Sequence, residues 1–121
     1  MKKVLIVEDQ HDVREVIRVS LELEDFEIHE AADGPSGLQL AARLKPDLML
    51  LDVMMPGGLD GLQVCQRIKS DPLLRRTKVV MLTARDQDAD RKAATQAGAD
   101  HYLAKPFSPI ELLSVVNRLI R

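Results

Sequence analysis

Five short apolar runs recur along this chain at intervals that leave room for one helix between each pair, a rhythm that constrains the fold more than any other feature. The runs are Val4-Leu5-Ile6-Val7, Phe26 to Ala31, Leu48-Met49-Leu50-Leu51, Val79-Val80-Met81-Leu82 and Tyr102-Leu103-Ala104. Strand followed by helix, five times over, predicts an α/β domain of the (βα)5 kind. Val13, Val16, Ile17, Ser20 and Leu21 are spaced for one face of the first helix, and Leu112, Leu113, Val116, Leu119 and Ile120 for one face of the last. That last helix has a clear start: Ser108 as N-cap, Pro109 at the first position and Glu111 at the third form a capping box. Asp33-Gly34-Pro35 opens the second helix. Gly98, following Ala93, Ala94 and Ala97, closes the fourth as a left-handed cap.

Strand order follows in part from the same patterns. Phe26-Glu27-Ile28-His29-Glu30 alternates apolar and polar, as a half-exposed edge strand does, whereas the first, third and fourth runs are continuously apolar and need cover on both faces. Right-handed crossovers then favour a doubly wound parallel sheet in the order 2-1-3-4-5, whose winding reverses between strands one and three. With 121 residues, one core is expected over positions 1–121, large enough to stand without disulfides. Cys65 is the single cysteine, which excludes an internal disulfide and a cysteine zinc framework and leaves it as a small buried residue.

Charge and aromatic content exclude several functions. A net charge of −2, with no Lys/Arg run, argues against direct nucleic-acid binding. Phe26, Tyr102 and Phe107 are the whole aromatic complement, too few for a base-stacking platform. No apolar run reaches membrane-spanning length and the start lacks a signal-peptide pattern, so a cytoplasmic location is expected.

In an open parallel sheet the functional crevice lies beyond the carboxyl ends of the strands, at the reversal of winding. Polar residues stand directly after the apolar runs: Glu8-Asp9 after the first, Asp52 after the third, Thr83 after the fourth and Lys105 after the fifth. Three carboxylates from adjacent strands repel one another and call for a compensating cation. An all-oxygen donor set suits Mg2+, which takes one or two carboxylates and completes its shell with water and phosphate oxygens. Lys105 can supply a point charge to a phosphoryl oxygen and the Thr83 hydroxyl can donate to another. Neither G-x-x-x-x-G-K-[ST] nor G-x-G-x-x-G is present, so a phosphoryl donor must come from outside the chain. Asp52, central on the sheet, is the candidate nucleophile for forming an acyl phosphate.

These residues resemble the receiver domains of two-component response regulators. The resemblance rests on Val4 to Asp9, on Leu51-Asp52-Val53-Met54-Met55-Pro56-Gly57, on Val80-Met81-Leu82-Thr83-Ala84 and on Gly98 to Phe107, in that order along nearly the whole chain. It implies a flavodoxin-like three-layer sandwich. It implies that Asp52 accepts a phosphoryl group from a sensor histidine kinase or phosphotransfer protein, that Glu8, Asp9, Asp52 and the Met54 backbone carbonyl hold Mg2+, and that Thr83 and Lys105 bind the phosphoryl group. It further implies a cis peptide between Lys105 and Pro106 and a switch in which Thr83 moves and Tyr102 rotates inward. That switch would alter the face built from the fourth helix, fifth strand and fifth helix, which would meet an effector domain, a partner protein or a second copy of the chain. Catalysis is then confined to self-phosphorylation and dephosphorylation. Ala89, Ala93, Ala94 and Ala97, as the core residues of the fourth helix, anchor it weakly enough to shift.

The chain departs from the family pattern in places. Pro56 to Gly61 is one residue longer than the usual loop, His101 stands where a second aspartate is common, and Asp25 where glycine often ends the first helix. Met54 and Met55 are expected to pack rather than to bind, and Arg85 lies near enough to Thr83 to affect water access. Two other readings stay open: a docking module that is never phosphorylated, and an aspartyl-phosphate hydrolase, which needs an acid at position 54, where Met54 stands.

Overall fold

A computed structural model describes residues 1–55, 57–84 and 88–121; Arg85 and Pro56, and with them the expected influence of Arg85 on water access, lie outside the described residues. The elements alternate as expected: β1 (Lys2–Val7), α1 (His11–Leu21), β2 (Phe26–Ala31), α2 (Gly34–Leu44), β3 (Leu48–Asp52), α3 (Gly61–Ser70), β4 (Lys78–Ala84), α4 (Asp88–Gln96), β5 (His101–Lys105) and α5 (Pro109–Ile120). All strand pairs are parallel and the order is β2-β1-β3-β4-β5, the doubly wound flavodoxin-like arrangement.

Side chains of a strand alternate between faces, so each continuously apolar strand feeds two cores. Leu5, Val7, Met49, Leu51, Val79 and Met81 join Ala41, Val64, Ile68 and Ala94 on one side of the sheet. Val4, Ile6, Leu48, Leu50, Val80 and Leu82 join Ile17, Leu21, Leu112 and Val116 on the other. β2 is an edge, and its middle residues are only half-buried.

The strands run further than the apolar runs: β1 begins at Lys2, β4 extends through Thr83 to Ala84, and β5 covers His101 to Lys105. Backbone pairing continues past the last apolar residue because neighbours still offer ladder partners, as in Thr83 opposite Ala104. Helix ends follow the caps. Ser108 and Glu111 form the capping box of α5, and Asp33 accepts from the Ser36 amide at α2. Gly98, at φ +93°, ends α4 in a full Schellman motif, with Ala99 N–H donating to Ala94 and Gly98 N–H to Thr95.

Three packing expectations are corrected. Val16 is exposed, since α1 centres its buried arc on Ile17, Ser20 and Leu21. Ala89 is exposed at the start of α4, Ala94 is buried and Ala93 half-buried within it, and Ala97 is buried just past its end. Met54 is 73% exposed, because it follows β3 where the chain leaves the sheet; Met55 does pack against the core.

Candidate functional site

The carboxyl ends of β1, β3, β4 and β5 bring together the residues expected there. Glu8, the first residue past β1, is 0% exposed and fixed on every side. Its amide donates to the Ala31 carbonyl at 3.1 Å, Gln10 N–H donates to its Oε2 at 3.1 Å, and Lys105 Nζ donates to its Oε1 at 2.8 Å. Arg14, from the first turns of α1, holds the Glu8 carbonyl at 2.8 Å. Asp52 closes β3, opposite Leu82, and is 7% exposed; its Oδ1 accepts the Met54 amide at 3.3 Å and lies 3.3 Å from Lys105 Nζ. Carboxylate oxygens of Glu8, Asp9 and Asp52 come within 4.8 Å of one another, with Asp9 the half-buried member.

Among the described residues one ammonium, that of Lys105, faces the three carboxylates, which leaves the described cluster short of positive charge. Burial pushes the Asp52 carboxyl up to about 7; Lys105 pulls it down and the Glu8 charge pushes it up again. Burial also works against the Glu8 anion, but the hydrogen bonds from Lys105 and Gln10 outweigh it and hold Glu8 below its ordinary value. For Lys105, burial disfavours the cation and the two carboxylates more than restore it, so its pKa is raised. An all-oxygen cluster with an uncompensated negative charge fits a hard divalent cation, and Glu8, Asp9 and Asp52 are the side chains that could hold one.

Thr83 is 1% exposed, and its buried Oγ1 has no hydrogen-bond partner among the described residues. A buried hydroxyl left unsatisfied costs roughly 1–3 kcal/mol, which marks it as a donor awaiting an acceptor. The Lys105–Pro106 peptide is cis, as the resemblance implied. Tyr102 points outward, with the Arg91 guanidinium 5.2 Å from its ring centre and the His101 ring stacked at 5.7 Å.

Sequence reasoning missed Gly61. A Cβ there would fall 1.9 Å from the Asp52 carbonyl oxygen, and its N–H donates to the Val53 carbonyl at 2.9 Å, so the start of α3 presses directly on the backbone of Asp52. A signal was available: Asp60 and Gln63 have the spacing of a capping box, and both halves of it form. Gly57 and Gly58, between β3 and α3, have φ of +93° and +88° and are exposed. Cys65 is buried as expected, and burial raises its thiol pKa to about 11, so it is inert.

Comparison with known proteins gives one consistent answer. A family model described as the response regulator receiver domain matches residues 4–117. Response regulator MprA of Mycobacterium leprae is 44% identical over 121 residues, covering 98% of this chain and 51% of that protein. The DNA-binding dual master transcriptional regulator RpaA of Synechocystis sp. is 39% identical, covering 100% and 50%. Among solved structures, the chemotaxis response regulator CheY4 of Vibrio cholerae superposes with a TM-score of 0.91 at 29% identity, covering 98% of each chain. The chain thus spans about half the length of these two curated relatives.

Proposed function

The chain belongs to the response regulator receiver domain family, and on that premise we propose that residues 1–121 form one receiver domain whose Asp52 is the phosphoacceptor of a cytoplasmic signalling switch. The observation that carries this reading is the convergence of Glu8, Asp9 and Asp52 within 4.8 Å, with Lys105 Nζ 3.3 Å from the Asp52 carboxylate.

The phosphoryl donor is a phosphohistidine on a sensor kinase or phosphotransfer protein. An Asp52 carboxylate oxygen attacks phosphorus in line, the N–P bond breaks, and the imidazole leaves with the bonding pair and takes up a proton. Asp52 then carries an acyl phosphate, and water later cleaves it to carboxylate and inorganic phosphate. Glu8, Asp9, Asp52 and the Met54 carbonyl would hold Mg2+, which when bound supplies the positive charge that keeps Asp52 ionised and offsets charge on the phosphoryl oxygens. Lys105, already against Asp52, meets one phosphoryl oxygen, and the Thr83 hydroxyl, which has no partner among the described residues, donates to another. Bonds formed only in the phosphorylated state give Thr83 a reason to move, and Tyr102 is its partner in transmitting that movement to the face of α4, β5 and α5. That face is where an effector domain, a partner protein or a second copy would respond.

Incubation with magnesium and a small phosphodonor such as acetyl phosphate tests the reading. Intact mass spectrometry should find one added phosphoryl group on the wild-type protein, none on Asp52→Asn, and none on wild type in excess EDTA. Equal labelling of Asp52→Asn and wild type overturns it.

A further inference from the structure

The opposite end of the sheet carries a feature that phosphoryl chemistry leaves unused. Where the strands begin, a cleft of about 570 Å³ is lined by Lys2, Lys45, Arg76, Lys78 and Arg121, with Asp47 the one carboxylate among its lining residues. These five cations come from four separate stretches of chain: the start of β1, the end of α2, the stretch leading into β4 and the end of α5. Arg76 and Lys78 share the short basic stretch Arg75-Arg76-Thr77-Lys78, and the fold brings the other three cations to it from distant parts of the chain.

Ordinary structural duty accounts for part of this cluster. Lys45 and Arg121 stand at the C-caps of α2 and α5, where a cation complements the helix dipole. Arg121 also lies over the Phe26 ring at 4.5 Å and 3.8 Å from Glu24. Lys2 and Lys78 sit at strand starts and Arg76 six residues past α3, where no helix end calls for charge. Among the described residues, Lys2, Lys45, Arg76 and Lys78 form no ion pair. The Asp47 carboxylate is engaged by the Lys3 backbone amide at 2.7 Å.

Lys45 stands at a backbone position of special geometry. It has φ +47° and ψ +63°, the left-handed region where glycine or asparagine is cheaper, so a lysine here carries a backbone cost that glycine would relieve. The cleft is also not purely polar. Leu73 is 73% exposed on its wall, and Leu119 and Ile120 are half-buried beside it. Cations around an exposed leucine, with half-buried aliphatic side chains beside it, fit a ligand that alternates carboxylates with apolar side chains, better than a nucleic-acid backbone, which offers the leucine nothing.

We propose that the amino-terminal end of the sheet is a docking site for an acidic peptide segment of a partner protein, one carrying leucine-like side chains between its carboxylates. The site lies at the far end of the strands from Asp52, so binding there leaves the phosphoacceptor accessible.

The test is fluorescence anisotropy at low ionic strength with the full chain and a fluorescein-labelled peptide of alternating glutamate and leucine. Saturable binding is expected, weakened about tenfold or more by Arg76→Glu with Lys78→Glu, and about threefold by Lys45→Gly. Because Lys45→Gly relieves the left-handed backbone, its melting temperature should not fall, which separates lost charge from lost fold. Arg76→Gln with Lys78→Gln should bind with intermediate affinity. Absence of binding, unchanged affinity in the charge-reversed protein, or equal affinity for a lysine–leucine peptide or for polyglutamate each overturns the proposal. Tighter binding of a single-stranded oligonucleotide of equal charge overturns it too, by making the occupant a nucleic acid.

Discussion

Thr83 and Asp52 are each held in a state that the resting fold does not favour. The buried Thr83 hydroxyl has no partner among the described residues, so replacing it by the isosteric valine removes an unsatisfied group rather than a bond. Thr83→Val should leave thermal stability equal or raise it by up to about 1 kcal/mol, while slowing phosphoryl uptake or altering the phosphoryl lifetime about tenfold; thermal denaturation and a phosphorylation time course read the two effects separately. Asp52 gives a pH signature. Its folded pKa of about 7 lies above the unfolded value near 3.9, so the folded protein holds the proton more tightly. The associated stability is present below about pH 4 and is lost as pH rises toward 7. In metal-free protein, Asp52→Asn should therefore be more stable than wild type by about 2 kcal/mol at pH 7.5, the gap narrowing toward pH 4.5. Glu8, with its lowered pKa, acts oppositely, stabilising above its ordinary value and losing that contribution as pH falls, but it is present in both proteins. A gap that did not change with pH would show that the Asp52 carboxylate is not strained. Glu8, Asp9, Asp52, Thr83 and Lys105 were legible in the sequence because each follows an apolar run. The exposure of Met54 was not, since a methionine beside a strand end has no periodic context to say which way it faces.

At the scale of elements, helix starts carry much of the site's precision. Gly61 lets α3 begin against the Asp52 backbone, so Gly61→Ala must move one or the other. It should cost about 2 kcal/mol or more and slow phosphorylation, measured by chemical denaturation and by the uptake time course. Asp60→Ala, which removes the cap but not the close approach, should cost about 1 kcal/mol with a smaller kinetic effect. The capping boxes of α5 and α3 differ in how readily they were seen: Ser108 precedes Pro109 and a clear apolar stripe, whereas Asp60 is embedded in a glycine-rich loop that reads as turn. Strand identity and order were readable from apolar continuity alone. Strand ends were not, because pairing at Thr83 and Lys105 depends on the neighbouring strand rather than on local hydrophobicity.

Across the whole molecule, charge is sorted along the strand direction. The Glu8, Asp9 and Asp52 cluster lies at the carboxyl ends of the strands and the Lys2, Lys45, Arg76 and Lys78 group at their beginnings, a separation that the net charge of −2 conceals. The carboxylate end asks for a divalent cation. Magnesium should raise the melting temperature of the wild-type protein at neutral pH, with Asp9→Asn weakening that dependence about tenfold in concentration, as titration calorimetry or thermal shift would measure. The central claim concerns a single side chain, and borohydride trapping tests it most directly. Protein treated with magnesium and acetyl phosphate, reduced with borohydride and digested should yield a peptide in which residue 52 has become homoserine, the product of reducing an aspartyl phosphate. Homoserine at another aspartate, or none in protein that has gained a phosphoryl mass, would contradict the account.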